Sequence, residues 1–257
     1  MDTLVDVQSR RDDRNVEIDK VGVKNVRYPI SLLDKKKKRQ HTIATINMYV
    51  LLPSHFKGTH MSRFIEVLNE NRDCIDIRNI DKIVTQIRKR LKAKRAYIEL
   101  SFVYFIEKKA PVSGIKSLMS YDCKVEAIGD DESKKTVLTV EVPITSLCPC
   151  SKEISDYGAH NQRGVARVSV EFDSMIWIEE LVKVAEESAS CDIYSLLKRP
   201  DEKYVTEKAY NNPAFVEDIA RNIAIRLQAD KRVKHFEVEV ENFESIHNHN
   251  AYAYIAR

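Results

Sequence analysis

Glycine is scarce in this chain of 257 residues, which holds only 6, and proline is nearly as rare with 7. So little of either leaves small scope for irregular loops, and regular elements joined by short connections are expected. There is no G-x-x-x-x-G-K-[ST] run and no G-x-G-x-x-G run. Any nucleotide must therefore be held by something other than a glycine-rich phosphate cradle. No apolar run approaches the ~20 residues of a membrane span, so no membrane partner is expected. The excess of cations is only +3, too small to imply a nucleic-acid partner. Cysteines number 5, an odd count, and the polar start carries no signal-peptide pattern. Both point to a reducing cytoplasm.

What is present is enough apolar side chain, 43% of the residues, for a real core of one large or two small domains. Residues 1–24 are polar and charged and read as an extended arm. Residues 25–33 and 41–52 read as strands, and the basic run 35–39 between them as a solvated hairpin tip. Thr59 is a candidate cap for a helix with Met61, Phe64, Ile65 and Leu68 on one face. A second helix follows with Ile80, Ile83, Val84, Ile87 and Leu91. Residues 96–106 alternate with period two, and residues 118–128 form another strand. The order ββααββ then recurs. Strands at 135–142 and 164–172 precede a helix with Ile178, Leu181, Val182 and Ala185. A further helix is expected from Pro213 with Asn212 as its cap, then strands at 233–242 and 251–255. The expected fold class is α+β, with two tandem ββααββ units whose antiparallel sheets are each covered on one face by a helix pair. The expected boundaries are an arm at 1–24, a first unit at 25–134 and a second at 135–257. Val103 and Phe105 oppose Phe102 and Tyr104 on one strand, so apolar residues face both ways, which suggests sheet joining and oligomerisation.

The chemistry gathers in residues 145–164, TSLCPCSKEISDYGAHNQRG. Cys148 and Cys150 flank Pro149, Ser151 and Lys152 follow, and His160 sits in the run Gly158-Ala159-His160-Asn161-Gln162-Arg163. A thiolate and an imidazole about a dozen residues apart can meet at one ion if the chain turns back, and Gly158 permits the turn. Cys-x-Cys is not the pitch of a closed zinc knuckle, and no second cysteine pair completes four sulfurs. An open site with mixed protein ligands fits better. The other reading is two buried thiols and a loop histidine.

The runs VPITSLCPCSKEISDYGAHNQRG, RPDEKYVTEKAYNNPAFVED, KGTHMSRF and ENFESIHNHNA resemble the type IB GTP cyclohydrolases across nearly the whole chain. The resemblance implies the tunnelling fold, usually as a homotetramer, with the metal site in the second unit. It implies Cys148, His160 and Glu202 as ligands of one divalent metal, Zn, Mn or Fe, with Cys148 also counted among the catalytic residues. On spacing alone, Glu202 reads as a solvated helix-start residue. Glu217 would anchor guanine, since a carboxylate can accept from both its ring N–H and its exocyclic amine. Its bland alternative is an i,i+4 surface pair with Arg221. Glu244 and His247 would be acid–base groups, with His249 close enough to be confused with His247. Lys152, Arg163 and Arg63 are candidate cations for the triphosphate, and Cys150 is either a partner of Cys148 or an inert thiol.

The implied reaction converts GTP and water to 7,8-dihydroneopterin triphosphate and formate, the first step of folate- or queuosine-type pterin synthesis. Attack at C8 needs a nucleophile at neutral pH, which a metal supplies by lowering the pKa of bound water to about 7. Alternatives are the archaeal relative releasing a 2′,3′-cyclic phosphate, and a non-catalytic tunnelling-fold protein that binds a purine or pterin.

Overall fold

The computed structural model describes residues 6–8, 10–36, 38–72 and 74–257. The first residues of the expected arm, and Lys37 of the basic run, lie outside them. The chain divides into two compact units, one of Met1–Phe102 with Lys124–Val137 and the other of Val103–Cys123 with Leu138–Arg257.

In the first unit, β1 (Ile18–Asp34) and β2 (Lys38–Leu52) form a long antiparallel hairpin, with Ile18 opposite Leu52 and Asp34 opposite Lys38. β1 starts at Ile18, earlier than the expected 25, where Ile18 pairs with Leu52; its first residues are exposed or half-buried and so show no apolar alternation. β2 then pairs with β3 (Ala96–Lys109), and β4 (Lys116–Gly129) and β5 (Lys134–Leu147) continue the order. Ala44, Ile46, Met48 and Val50 of β2 are buried at a spacing of two, as are Ala96, Ile98, Leu100 and Phe102 of β3. Two helices supply the other side of this core. α1 (Ser62–Glu70) buries Phe64, Val67 and Leu68, and α2 (Ile80–Leu91) buries Ile80, Ile83, Val84 and Ile87. The cap of α1 is Met61, with no side-chain hydrogen bond, and not Thr59. The element order here is the ββααββ read from periodicity.

The second unit is richer than that pattern. It contains the later halves of β3 and β5, the first half of β4, and α3 (Pro149–Ile154), β6 (Asn161–Phe172), α4 (Ile178–Glu186) and the short β7 (Cys191–Asp192). After these come α5 (Arg199–Asn211), α6 (Val216–Ala229), β8 (Val233–Asn242) and β9 (Ala251–Ala256). The strand order runs β5-β6-β8-β9, with β7 added to β5. Antiparallel β6 and β8 are in register from Gly164 opposite Asn242 to Val170 opposite Phe236. α4 buries Ile178, Leu181, Val182 and Ala185, and α6 buries Val216, Ile219, Ala220, Ile223, Ala224 and Leu227. The last expected helix begins later than Pro213. Phe215 is its cap, and Asp218 accepts a hydrogen bond from the Phe215 N–H at 3.1 Å. Asn212 instead ends α5, donating its amide to the carbonyls of Ala189 at 2.9 Å and Ser190 at 3.3 Å. Among the described residues no helix is long and apolar enough to cross a membrane.

Candidate active site

The end of β5 positions the first site residue. Ser146 and Leu147 are buried, and Cys148 leaves the strand in an extended conformation as the cap of α3, where Pro149 fits the first helical position. The Cys148 sulfur is half-buried and accepts from the Ser151 N–H at 3.4 Å. The chain then turns back through Gly158, whose φ of +155° lies in a region that suits glycine. The Cys148 N–H donates to the His160 carbonyl at 3.1 Å. The Ser151 hydroxyl donates to the Cys148 carbonyl at 3.2 Å and accepts from the His160 N–H at 3.2 Å. The thiol and imidazole foreseen from their spacing are thus stitched together by their own backbones.

The His160 ring is mostly buried, with 14% of its side chain exposed. Its Nδ1 lies 2.8 Å from the Gln162 amide oxygen and 3.9 Å from Glu244 Oε2, while Gln162 Nε2 donates to Glu244 Oε1 at 3.4 Å. Glu244 reaches this position because the Phe243 N–H donates to the Arg163 carbonyl at 2.9 Å, extending the β6–β8 register by one residue. Gly164 makes that register possible: a Cβ there would lie 2.5 Å from Asn242 Oδ1 and 2.6 Å from the Glu241 carbonyl. Asn242 is itself buried and donates to Ser146 Oγ at 2.9 Å, which donates in turn to the Ala214 carbonyl at 2.9 Å. The Ala214 N–H returns to the Leu147 carbonyl at 3.1 Å. This relay fixes the entry to α6, and so Glu217 in its first turn, to the residues just before Cys148.

α5 is held from both ends. Asp201 is completely buried, and its two carboxylate oxygens accept from the N–H groups of Val112 and Ser113 at 2.8 Å each, the Ser113 hydroxyl at 2.6 Å and the Lys198 N–H at 2.9 Å. Burial pushes its pKa up, but these donors outweigh that and hold it well below the usual carboxylate range. At the other end Lys152 donates to the Tyr210 carbonyl at 2.5 Å and lies 4.4 Å from the centre of the Tyr210 ring. A cation at the last turn suits the helix dipole. Between the ends, Val205 and Ala209 pack with Leu147, Ala159 and Cys191, so α5 lies against the immediate neighbours of Cys148 and His160.

Not every expected residue converges. Glu202 is exposed on α5, and no group of three or more His, Cys, Asp or Glu side chains that could hold a metal is gathered among the described residues. Glu217 is exposed, and Arg221 pairs with Asp218 at 3.6 Å, so the surface pair between Glu217 and Arg221 is not formed. His247 is exposed and stacked on His249 at 5.1 Å, Arg163 is exposed at the start of β6, and Cys150 is exposed on α3. Sequence reasoning missed Gln162 and Asp201. Asp201 accepts from the Lys198 N–H at the start of α5, but Lys198 offers no acceptor in return, so no capping-box pattern flags the second, and nothing in the pattern flags the first.

The donors nonetheless suit a divalent metal. A thiol, an imidazole nitrogen and a carboxylate are a mixed set for borderline cations. His160 has one ring nitrogen engaged by protein and the other without a protein partner among the described residues, the usual state of a metal-ligating histidine.

An antiparallel sheet with helices packed on it puts the chain in a mixed α and β class. The chain shares its fold with uricase from Arthrobacter globiformis, with a TM-score of 0.54 over 93% of this chain and 92% of that one, at 5% identity. The likeness is one of fold alone, that of the tunnelling-fold urate oxidases. Residues 4–253 match the family described as type I GTP cyclohydrolase folE2. A protein named GTP cyclohydrolase FolE2 from Magnetococcus marinus is 58% identical over 252 residues, 98% of this chain and 95% of that one. Its namesake from Thermosipho africanus is 59% identical over 248 residues, 96% of each chain, and that from Syntrophobacter fumaroxidans 56% over 255 residues, 99% of each. The chain belongs to the type I GTP cyclohydrolase folE2 family.

Proposed function

We propose that this chain is a metal-dependent GTP cyclohydrolase that converts GTP and water to 7,8-dihydroneopterin triphosphate and formate, the entry to folate- or queuosine-type pterin synthesis in the cytoplasm. Family membership over nearly the whole length supports the activity. The observation that carries the site is the Cys148–His160 stitch with Glu244 behind it.

Cys148, His160 and Glu202 would hold one divalent ion, Zn, Mn or Fe. Glu202 lies three residues before Val205, which packs with Leu147 and Ala159, the chain neighbours of Cys148 and His160, and this supports the reading. When bound, such an ion supplies Lewis acidity that lets water attack at neutral pH. The remaining steps fall to protein groups. The Glu217 carboxylate, lacking a protein partner among the described residues, is free to accept from the guanine ring N–H and exocyclic amine, a donor pair adenine does not offer. Ring opening and deformylation need a proton given and taken at the purine nitrogens, the task of His247 supported by Glu244. Arg163 is the better placed of the triphosphate cations because its side chain is exposed, whereas Lys152 is engaged at the end of α5. Arg63 lines a cavity of about 320 Å³ in the first unit with Thr59, His60 and Lys92.

The test is incubation with GTP under Zn, Mn or Fe, following formate and pterin products separately by mass spectrometry. Equimolar formate and dihydroneopterin triphosphate are expected. A 2′,3′-cyclic phosphate product would reassign the chain to the archaeal reaction, and GTP binding without formate would make it a silent purine-binding relative.

A further inference from the structure

Gln162 is a polar side chain with 7% exposure, placed between an imidazole and a carboxylate. Its orientation follows from what its neighbours can do. The end of Gln162 that lies 3.4 Å from Glu244 Oε1 is its amino group, which donates to that carboxylate oxygen. The end 2.8 Å from His160 Nδ1 is then its carbonyl oxygen, which only accepts. Nδ1 must therefore carry the proton, and in a neutral imidazole that leaves the lone pair on Nε2. Glu244 Oε2, at 3.9 Å from the same Nδ1, biases the ring in the same direction. We propose that Gln162 is a positioning residue that relays the charge of Glu244 into a choice of tautomer, fixing Nε2 of His160 as the nitrogen offered to a metal ion.

This rests on reading His160 as a ligand for its purpose, though not for its geometry. Metal ligation by histidine requires an unprotonated nitrogen, and the partner of the other nitrogen decides which one that is. In Gln162→Leu the side chain keeps its bulk but offers no acceptor, so the ring is free to reverse its tautomer and to turn. Gln162→Glu restores the acceptor at Nδ1.

The direct experiment records imidazole nitrogen spectra of histidine-labelled, metal-free protein at mildly alkaline pH, with His160→Gln to assign the resonance. The parent is expected to carry its proton on Nδ1, Gln162→Leu to lose that preference, and Gln162→Glu to keep it. Zinc titrated against a chromophoric chelator should bind Gln162→Leu about 10- to 100-fold more weakly than the parent, the usual worth of such an outer partner. A parent with its proton on Nε2 overturns the proposal even if no variant folds, and so does a Gln162→Leu protein that retains the parent's tautomer and zinc affinity. The metal reading fails separately, if His160→Ala binds zinc as the parent does.

Discussion

Single side chains in this site are fixed by hydrogen-bond balance more than by packing. Asp201 is the plainest case, with four donors on two buried oxygens. Those donors tie the first turn of α5 to the β3–β4 connection and so fix the helix that carries Glu202. Because the folded-state pKa of Asp201 is depressed, its contribution is present above the unfolded value of about 3.9 and is lost as pH falls through the folded one. Asp201→Asn would turn an amino group towards donors that need an acceptor. It should lower the urea midpoint markedly at pH 7, by an amount that shrinks as the pH is taken below about 4. A gap that widened towards acid would refute this account. At this scale the sequence was legible only where chemistry has a spacing. Cys148 and His160 could be paired from their separation and Gly158. Glu202 and Glu217 came into view only by family resemblance, because an exposed glutamate at a helix start looks the same whatever its task. Gln162 left no trace, since a buried amide depends on partners distant in the chain.

Among the elements, those with a strong burial period were readable, and those held by polar contacts were not. α2, β3 and β8 each bury every second, third or fourth residue, and their extents match the periodicity closely. α5 fully buries only Asp201 and Ala209, so it has no stripe to detect. The ties on α5 are ionic as well as packed. Lys208 pairs with Asp192 of β7 at 3.0 Å, and Asp192 lies 3.6 Å from Lys108 of β3. Lys108 in turn donates to Glu186 at 2.7 Å, and the Tyr121 hydroxyl donates to the same oxygen at 3.0 Å. Burial pushes the pKa of Glu186 up, and the Lys108 charge opposes it. With side chains only 11% and 12% exposed, Lys108 and Glu186 form a pair that is costly to break from one side. Lys108→Met should therefore destabilise the protein by about 3 kcal/mol near pH 8, the range for an orphaned buried charge. The loss should ease at an acid pH, because burial already raises the Glu186 pKa and protonation removes the orphaned charge. Lys108→Met with Glu186→Gln should recover most of it. Urea midpoints at the two pH values give the answer, and a single variant as stable as the parent at both would mean that solvent already screens the pair.

For the whole molecule the decisive fact is how much of the proposed chemistry lies uncovered in one chain. Glu202, Glu217 and His247 are all exposed, and no metal-competent group of three ligands is gathered among the described residues. Proton transfer and hydrolysis on a purine need a site that excludes bulk water and holds its groups still. Among the described residues β1 and β9 stand at the two ends of the strand order, and β9 exposes Tyr252 at 58% and Tyr254 at 50%. Open edges with aromatic side chains are surfaces that folded proteins normally cover. We propose that further copies of this chain meet both needs, in the homotetramer that the family resemblance implies. Closed symmetry would then give every copy the same completed site. Light scattering should accordingly find a tetramer at micromolar concentration. On dilution, formate release per chain should fall along with the measured mass, because the site and the assembly are lost together. Metal content should follow the same curve if Glu202 joins Cys148 and His160 only in the assembled state. A monomer that keeps its full turnover per chain at nanomolar concentration would show that these exposed groups close over GTP within one chain.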